Sequence, residues 1–432
     1  MKKQFIFILC GLFLCAGTIA ATDYNVLQQG AVGDGKTLNT QSLQSAIDAL
    51  HAKGGGQLYF PAGCYLTGSL QLKSNVTLYL EKEAMLLGST SPYDYPGFST
   101  EKELKVNNDH FDQALIYAEG AENIGITGEG CIDGQGRELA LTIDSLHHTG
   151  ELVDKHYNTY RKRPNTRPKL LFMRNCRKVE LWKTNFRSGA AWGLSFSLCV
   201  DLTIDSLHVE NRAYWNNDGI DISDCKDVRI SNCFINSADD GICLKSHNRG
   251  AWNDRVSISN CHIISSASAI KFGTESLGGF KNVTIDNIRI KDTFRSAIAI
   301  ESVDGAEIEN VKLENIEIVC PGRATRGMAY MSVSRLKDVP ENEKGYPEFT
   351  MFEELPSWGF YVRHVKGIQM HNVKLRLQED DFRPAFVFDR VSDVRLSDIS
   401  LPENKKAGQV VLRQTSLQSA DNAVKEYVRE VE

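Results

Sequence analysis

The sequence has 432 residues, of which 42% are hydrophobic and 24% are charged, and its formal net charge is −6. That length suits two or three globular domains or one elongated solenoid. No basic stripe or tail is present, which argues against nucleic acid as a partner, so an acidic ligand would have to be held by local Lys or Arg side chains.

The N-terminus predicts an export signal. Two lysines precede an apolar run from Phe5 to Leu14, and small residues follow up to Ala21. A positive start, a short apolar stretch and a small-residue end are typical of a secretory signal peptide rather than a membrane span. We therefore expect residues 1–21 to be removed, and residues 22–432 to form a secreted or periplasmic domain with no membrane span.

Thr40 marks the first element predicted in the mature chain. It is a favourable N-cap residue and predicts a helix over Gln41–Ala52. The helix precedes a series of repeats, and the terminal elements of repeat proteins cover the open end of the core. We expect it to cap the N-terminal end of the fold.

A repeat with the pattern apolar-x-apolar-x-x-apolar-x-apolar runs through the middle of the chain. Period-two alternation predicts short strands, and spacings of 23 to 28 residues without a helical pattern predict the coils of a solenoid. The leucine-rich consensus is missing, and propeller blades need about 40 residues each. We therefore predict an all-β, single-domain, right-handed parallel β-helix. The copies start at Val179, Leu202, Val228, Val256, Val283, Val311, Ile368 and Val394.

A second strand follows each of the central copies. The second and fourth residues of this strand are always apolar and are expected to face the core, which turns the first, third and fifth residues outward. The five aligned segments are Gly193–Ser197, Gly219–Ser223, Gly241–Lys245, Ala269–Gly273 and Ala297–Glu301.

Nine cysteines follow the predicted signal, and five of them keep a constant place in the repeat. Equal register predicts stacked interior columns, in which Cys acts as a small apolar residue. The alternative is that one or two disulfides form. No CxxC pair is present to indicate a metal site. The five are Cys176, Cys199 and Cys225, three residues before a repeat start, and Cys233 and Cys261, five residues after one.

Two segments break the period. Arg323–Trp358 separates two copies and predicts a long loop over one face. Asp421–Glu432 predicts a short charged helix or a frayed tail.

Acidic residues cluster at the start of two successive second strands. Asp218 and Asp240 each stand directly before an aligned segment, and Asp239 is adjacent to Asp240. Asp-Gly alone often marks a turn. Stacked like charges repel each other, however, so three acids in successive coils indicate a functional site.

Asn216-x-Asp218-Gly219, followed by the Asp239–Gly241 triplet, resembles glycoside hydrolase family 28, the family of polygalacturonases and rhamnogalacturonan hydrolases. Gly30–Gly35 and Phe60–Gly63 also resemble the N-terminal coil of that family. The resemblance implies an inverting, cofactor-free hydrolase of pectic polysaccharide, expected to be monomeric. It implies that Asp239 is the general acid, that Asp218 and Asp240 activate water, and that Asn216 orients them.

The sequence departs from that family at two places. Ala267-Ser268-Ala269 stands where polygalacturonases usually carry Gly-His-Gly, and Ala299 and Glu301 stand where they carry Arg-x-Lys. In the family, the Arg-x-Lys pair is associated with a sugar carboxylate beyond the cleavage point. Its absence favours a rhamnogalacturonan-type substrate or an oligogalacturonide over plain homogalacturonan.

Other residues near the acids are candidates for substrate binding. Lys245 and Lys271 occupy outward positions beside the acids, and we hypothesise that they bind a uronate carboxylate. His247 is a candidate for the role of the absent His. The remaining candidates are Asp221, Arg249, Glu301 and Trp215.

Two other functions fit the same pattern. A β-helix polysaccharide lyase would use the three acids to bind Ca²⁺ and would release unsaturated products that absorb ultraviolet light. A non-catalytic carbohydrate-binding β-helix would release no reducing ends.

Overall fold

The structure is a computed structural model that describes residues 22–95, 113–152, 167–328, 330–341, 353–402 and 408–432. The predicted export signal, residues 1–21, lies outside the described residues. Within those ranges, no helix has the length and apolar character needed to cross a membrane.

Strands dominate the structure, and helices are few and peripheral. The α-helices are α1 Thr40–Ala52, α2 Gly136–Thr149 and α3 Asn422–Lys425, and 3-10 turns occupy Val26–Gln29, Pro92–Asp94 and Val333–Asp338. The strands are β1 Thr22–Asn25, β2 Gly56–Phe60, β3 Gly63–Thr67, β4 Leu70–Gln71, β5 Val76–Leu80, β6 Ala84–Gly88, β7 Ala114–Glu119, β8 Glu122–Thr127, β9 Cys131–Asp133, β10 Lys169–Arg174, β11 Arg177–Trp182, β12 Asn185–Arg187, β13 Leu194–Ser197, β14 Val200–Asp205, β15 His208–Asn211, β16 Ile220–Ser223, β17 Lys226–Ser231, β18 Phe234–Ser237, β19 Ile242–Ser246, β20 Asn253–Ser265, β21 Ile270–Ser276, β22 Phe280–Lys291, β23 Ile298–Glu301, β24 Ile308–Cys320, β25 Phe360–Arg363, β26 Val365–Leu377, β27 Phe386–Asp389, β28 Ser392–Ser400, β29 Val410–Arg413, β30 Leu417–Ala420 and β31 Val428–Val431.

The strands form two sheets, and the strand pairings are parallel. The second sheet holds twelve described strands, β4, β7, β10, β13, β16, β19, β21, β23, β25, β27, β29 and β31, each hydrogen-bonded to the next. The other nineteen form the first sheet. Each coil contributes to both sheets, so the chain winds as a right-handed parallel β-helix, which confirms the predicted fold class.

The repeat starts align in one column of the first sheet. Leu202 pairs with Val228, and Val228 pairs with Val256 in the next coil. The column continues across the Arg323–Trp358 insertion, because Val311 pairs directly with Ile368. The insertion therefore leaves the stacking of the coils unchanged.

Asparagines form the corner within five of the eight repeats. Asn232, Asn260, Asn287, Asn315 and Asn372 all have φ between 51° and 57°, the left-handed region that Asn tolerates better than most residues. Their side-chain amides bond from coil to coil, with Nδ2 of Asn287 donating to Oδ1 of Asn260 at 2.8 Å. This column turns the chain between the two halves of the repeat.

The interior is a continuous apolar core, and the predicted cysteine columns lie in it. Cys176, Cys199, Cys225, Cys233 and Cys261 are buried. All nine cysteines in the described chain are free thiols, including the five whose register predicts stacked interior columns. They pack as small apolar side chains.

The two ends differ in detail from the sequence prediction. Helix α1 buries Leu43, Ile47 and Leu50 against the first coil and so forms the expected cap, but its N-cap residue is Asn39. The prediction that Thr40 is the N-cap was wrong, because its hydroxyl instead accepts a hydrogen bond from Gly68 N at 2.7 Å. At the C-terminus, α3 is followed by β31, which pairs with β29 as the last strand of the second sheet.

Candidate active site

The three acids meet at one edge of the second sheet, where each coil turns into its next strand. Asp218 lies two residues before β16, and Asp240 lies two residues before β19, in the adjacent coil. Asp218 and Asp240 are buried, whereas Asp239 is partly exposed. The fold therefore brings together the three residues that are predicted from the sequence to be catalytic.

The glycine after each of these acids allows the close stacking of the coils. A Cβ atom on Gly219 would lie 2.5 Å from Gly241 O, and one on Gly241 would lie 2.5 Å from Ala269 O. Neither distance is tolerated by a real side chain. The glycine of each Asp-Gly pair is therefore required by packing between coils.

Two buried amides hold the loop that carries Asp218. Asn211 donates through Nδ2 to the carbonyl oxygen of Asp218 at 2.8 Å. Asn217 donates to the carbonyl oxygens of Gly189 and Ala191 at 2.9 and 2.6 Å. These bonds fix the backbone of Asp218 relative to the preceding coil.

Lys245 lies between two carboxylates. Its Nζ atom is 3.0 Å from Asp218 Oδ2 and 2.5 Å from Asp221 Oδ1, and all three side chains are buried. The same Nζ atom lies 3.9 Å from the centroid of the Trp192 ring. In the structure, the ammonium group neutralises the acids and covers an aromatic face.

Lys271 makes the matching contact one coil further along. Its Nζ atom is 3.0 Å from Asp240 Oδ2, and the Ser268 amide donates to Asp240 Oδ1 at 3.2 Å. Ser268 occupies the position of the missing histidine. Its buried hydroxyl has no hydrogen-bond partner among the described residues.

The environment separates the pKa values of the acids. Burial and the neighbouring Asp240 raise the pKa of Asp239. Burial alone would raise the pKa of Asp240 as well, but Lys271, helped by Arg295 and Lys245, outweighs it and lowers that pKa. Asp239 thus tends to keep a proton at a pH where Asp240 is ionised.

Asp218 has a raised pKa. Burial is the main cause, the Lys245 ammonium opposes it, and the carboxyl groups of Asp221, Asp239 and Asp240 reinforce it. Asp240 is therefore the member of the trio held most firmly as an anion.

Asn216 and Trp215 stand on the loop before Asp218. Arg167 donates to Asn216 Oδ1 at 3.0 Å and to the carbonyl oxygen of Trp215 at 2.6 Å. The Trp215 side chain is 72% exposed. Sequence reasoning missed Arg167, which stands outside the repeat and carries no motif.

His247 and Arg249 lie beyond the far end of β19, away from Asp240. The His247 Nε2 atom is 3.4 Å from Glu275 Oε2. Burial, with the nearby Lys245 and Lys169, lowers the pKa of His247 to about 4, and burial raises the pKa of Glu275 to about 7. The His247 imidazole is therefore neutral and lies at the edge of the second sheet opposite the acids. The position of the family histidine is occupied by Ser268. Arg249 is exposed in the same loop.

Glu301 and Ala299 lie one coil beyond Lys271 and have no exposed surface. Neither carboxylate oxygen of Glu301 has a hydrogen-bond partner within the described ranges. Burial raises the pKa of Glu301 to about 7. A buried carboxyl group thus stands where the sequence comparison expects a lysine.

Three carboxyl groups converge at the edge of the second sheet of this parallel β-helix. Their surroundings raise the pKa of one and lower that of another, so one can donate a proton while the other is an anion. This arrangement is typical of proteins that carry out acid–base chemistry. The sequence profile of glycosyl hydrolases family 28 matches residues 57–320, which is more than half of the chain. The protein belongs to this family, as its motifs predict. A profile described as rhamnogalacturonase A/epimerase, pectate lyase-like, matches residues 24–87.

Curated relatives agree with this membership. A probable polygalacturonase of Vitis vinifera is 29% identical over 321 residues, covering 70% of this chain and 60% of the relative. An exo-poly-alpha-D-galacturonosidase of Dickeya chrysanthemi is 28% identical over 248 residues, covering 50% of this chain and 41% of the relative. The chain thus spans less than two thirds of either relative.

The family 28 exopolygalacturonase of Yersinia enterocolitica shares the fold, with a TM-score of 0.64 at 22% identity. The match covers 95% of this chain and 77% of that structure.

Proposed function

We propose that this protein is an inverting glycoside hydrolase that cleaves pectic polysaccharide containing α-linked galacturonic acid. The observation that carries the proposal is the convergence of three acids at one edge of the second sheet, with Asp218 and Asp240 buried against lysines and Asp239 partly exposed. The pKa shifts, raised in Asp239 and lowered in Asp240, agree with it. Paired carboxyl groups with separated pKa values are what acid–base glycoside hydrolysis requires.

The proposed mechanism gives each acid one role. Asp239, the partly exposed member, gives its proton to the glycosidic oxygen as the bond from that oxygen to the anomeric carbon breaks. Asp240 takes a proton from a water molecule whose oxygen attacks the anomeric carbon from the opposite face. Asp218 helps to position the water, and Lys271 keeps Asp240 ionised.

We further propose that the substrate is a rhamnogalacturonan-type chain or an oligogalacturonide rather than plain homogalacturonan. Supporting this, Ala299 and Glu301 replace the two cations expected there, and both residues are fully buried, so this position offers no cation to a uronate carboxylate. The expectation that Lys245 and Lys271 bind a uronate stays a prediction, because both ammonium groups contact protein carboxylates.

A calcium-dependent lyase is disfavoured by the surroundings of the acids. One oxygen each of Asp218 and Asp240 and the Cys243 thiol lie within 4.8 Å of one another. Ca²⁺ prefers six to eight oxygen ligands, and a thiol is a poor one. Lysine ammonium groups also contact both carboxylates, where a cation would have to bind.

The test is hydrolysis of a panel of homogalacturonan, rhamnogalacturonan I and rhamnogalacturonan II fragments. We expect new reducing ends, the inverted anomer as the first product in proton NMR, and loss of activity in Asp239→Asn. Asp201→Asn, an exposed aspartate on the first sheet, is the matched control and should keep full activity. An ultraviolet-absorbing product, or binding without release of reducing ends, would contradict the proposal.

We also propose that the protein is exported and works as a monomer. The support is the N-terminal pattern of charge and hydrophobicity in residues 1–21. N-terminal sequencing of the mature protein should begin near residue 22, and its mass in solution should equal that of one chain. A retained N-terminus would contradict the proposed export, and the mass of a dimer would contradict the proposed monomer.

A further inference from the structure

The insertion between β24 and β25 covers the outer face of the second sheet. Its described parts, residues 330–341 and 353–358, are here called the cross-segment. An apolar cluster forms between the two, separate from the main core. From the cross-segment it includes Met331, Leu336, Val339 and Leu355, and from the sheet Ala299, Tyr361, Val387 and Val411.

Polar contacts fasten the cross-segment at both edges of the sheet. Glu341 pairs with the buried Arg363 and lies 2.6 Å from Arg390 Nη1. At the edge that carries the acids, Glu354 Oε2 lies 3.3 Å from Arg295 Nε. Arg295 is close enough to act on both acids: it helps to lower the pKa of Asp240 and opposes the rise in the pKa of Asp239, which burial and Asp240 cause. The cross-segment is therefore attached beside the acids themselves.

The surface beside the partly exposed Asp239, here called the groove, is covered by the cross-segment shortly beyond the acids. Trp215, before Asp218, is 72% exposed, whereas Ala299 and Tyr361 are 0% and 1% exposed. Ala299 lies two coils from Asp240, which is about 10 Å at the usual spacing between strands. A polysaccharide laid along successive coils meets the cross-segment after a short distance.

We propose that the cross-segment is a wall that blocks the groove on the C-terminal side of the acids and restricts cleavage to a chain end. The inference rests on the proposed function and adds the mode of attack. A glycosidic bond of the substrate reaches the acids when one end of the substrate chain lies against the wall. An internal bond of a long chain cannot enter, because the chain would have to continue through the position of Ala299 and Tyr361.

A surface for sugar lies beside the wall, on the loop before β23. Phe294, next to Arg295, is 51% exposed, and Tyr330 of the cross-segment lies over Arg383 at 4.3 Å. An exposed aromatic face binds the apolar face of a sugar ring, and a guanidinium group binds a carboxylate or hydroxyl oxygen. Phe294 and Arg295 thus offer the terminal sugar one contact of each kind.

The experiment follows product length and solution viscosity during digestion of a polymeric substrate found in the panel. We expect products of one short, constant length from the first minutes, and little loss of viscosity for each bond cut. Substrates labelled at either end will report which end stands against the wall. A mixture of long oligosaccharides with a fast viscosity drop would overturn the proposal, whereas release of no reducing ends from any substrate would contradict the proposed function instead.

A variant pair tests the wall directly. Met331→Ala combined with Leu336→Ala loosens the cross-segment, and the early products should shift toward longer oligosaccharides. Leu401→Ala removes a buried leucine from the main core and should leave product length unchanged. If the loosened variant does not fold, the wild-type product profile still decides the proposal.

Discussion

The Lys271 ammonium group lies 3.0 Å from Asp240 and joins two successive coils at the bottom of the proposed active site. Both side chains are buried. Removing one member of a buried ion pair leaves an uncompensated charge, which typically costs about 3–5 kcal/mol. This pair therefore affects both stability and the ionisation of the proposed base.

We predict that Lys271→Met moves the acidic limb of the profile of kcat/KM against pH to higher pH. The ammonium group lowers the pKa of Asp240, so its loss raises that pKa, and a higher pH is needed to ionise the base. Activity should fall most at acidic pH and recover partly as pH rises.

The control for this prediction is Lys226→Met, which removes an exposed lysine from the first sheet and should leave the profile in place. An equal loss of activity at every pH in Lys271→Met would assign the lysine a structural role alone.

The roles of Asp239 and Asp240 are separable with activated substrates. An aryl glycoside with a good leaving group needs little protonation, so Asp239→Asn should be far more active on it than on the natural linkage. Asp240→Asn should stay inactive on both, because attack by water still needs a base. General acid or base catalysis usually contributes about 10²–10⁴-fold, and losses of that size are expected.

The measurement is kcat on a matched pair of aryl and sugar glycosides for both variants. Equal rescue of the two variants would mean that the roles are not divided in this way.

Much of the fold was readable from the sequence because a β-helix repeats one local rule. The apolar spacing placed Leu202, Val228 and Val256 in one column, and the structure confirms it. The contacts of Lys245 and Lys271 were not readable. The register turned both side chains outward, but whether each reaches a carboxylate depends on rotamers and on the depth of the groove.

The sequence predicted a loop over one face, but not that this loop packs on Ala299. The site at which a segment without a repeat packs cannot be derived from a periodic pattern, and Arg323–Trp358 has no such pattern. Strand β31 was missed for a similar reason, because the charged sequence of Val428–Val431 suits a tail as well as an edge strand.

Glu301 should make stability depend on pH. Its pKa is raised from 4.5 to about 7 in the folded chain, so the folded state holds a proton that the unfolded state has lost. Its contribution is fully present below pH 4.5 and is lost as pH rises through about 7. At 1.36 kcal/mol for each unit, the loss amounts to about 3 kcal/mol.

The measurement is the free energy of unfolding of wild type and Glu301→Gln between pH 4.5 and 7.5. Glu301→Gln should remove this part of the slope and leave the contributions of the other shifted groups, among them Glu275, whose pKa is raised, and His247, whose lowered pKa acts in the opposite direction. Glu180→Gln, at an exposed position, should reproduce the wild-type curve. Identical slopes in wild type and Glu301→Gln would show that Glu301 is ionised in the folded protein throughout.

The asparagine corner predicts a stability difference between two substitutions at Asn260. Its φ of 54° is costly for a residue with a Cβ, by about 1–2 kcal/mol, and its amide bonds to Asn232 and Asn287. Asn260→Ala loses the bonds and keeps the backbone strain, whereas Asn260→Gly loses the bonds and relieves it. We therefore expect Asn260→Ala to unfold at a lower denaturant concentration than Asn260→Gly, with both below wild type. If Asn260→Ala matched or exceeded Asn260→Gly, helical or extended backbone would have replaced the left-handed corner, and the asparagine column would not be what turns the coil.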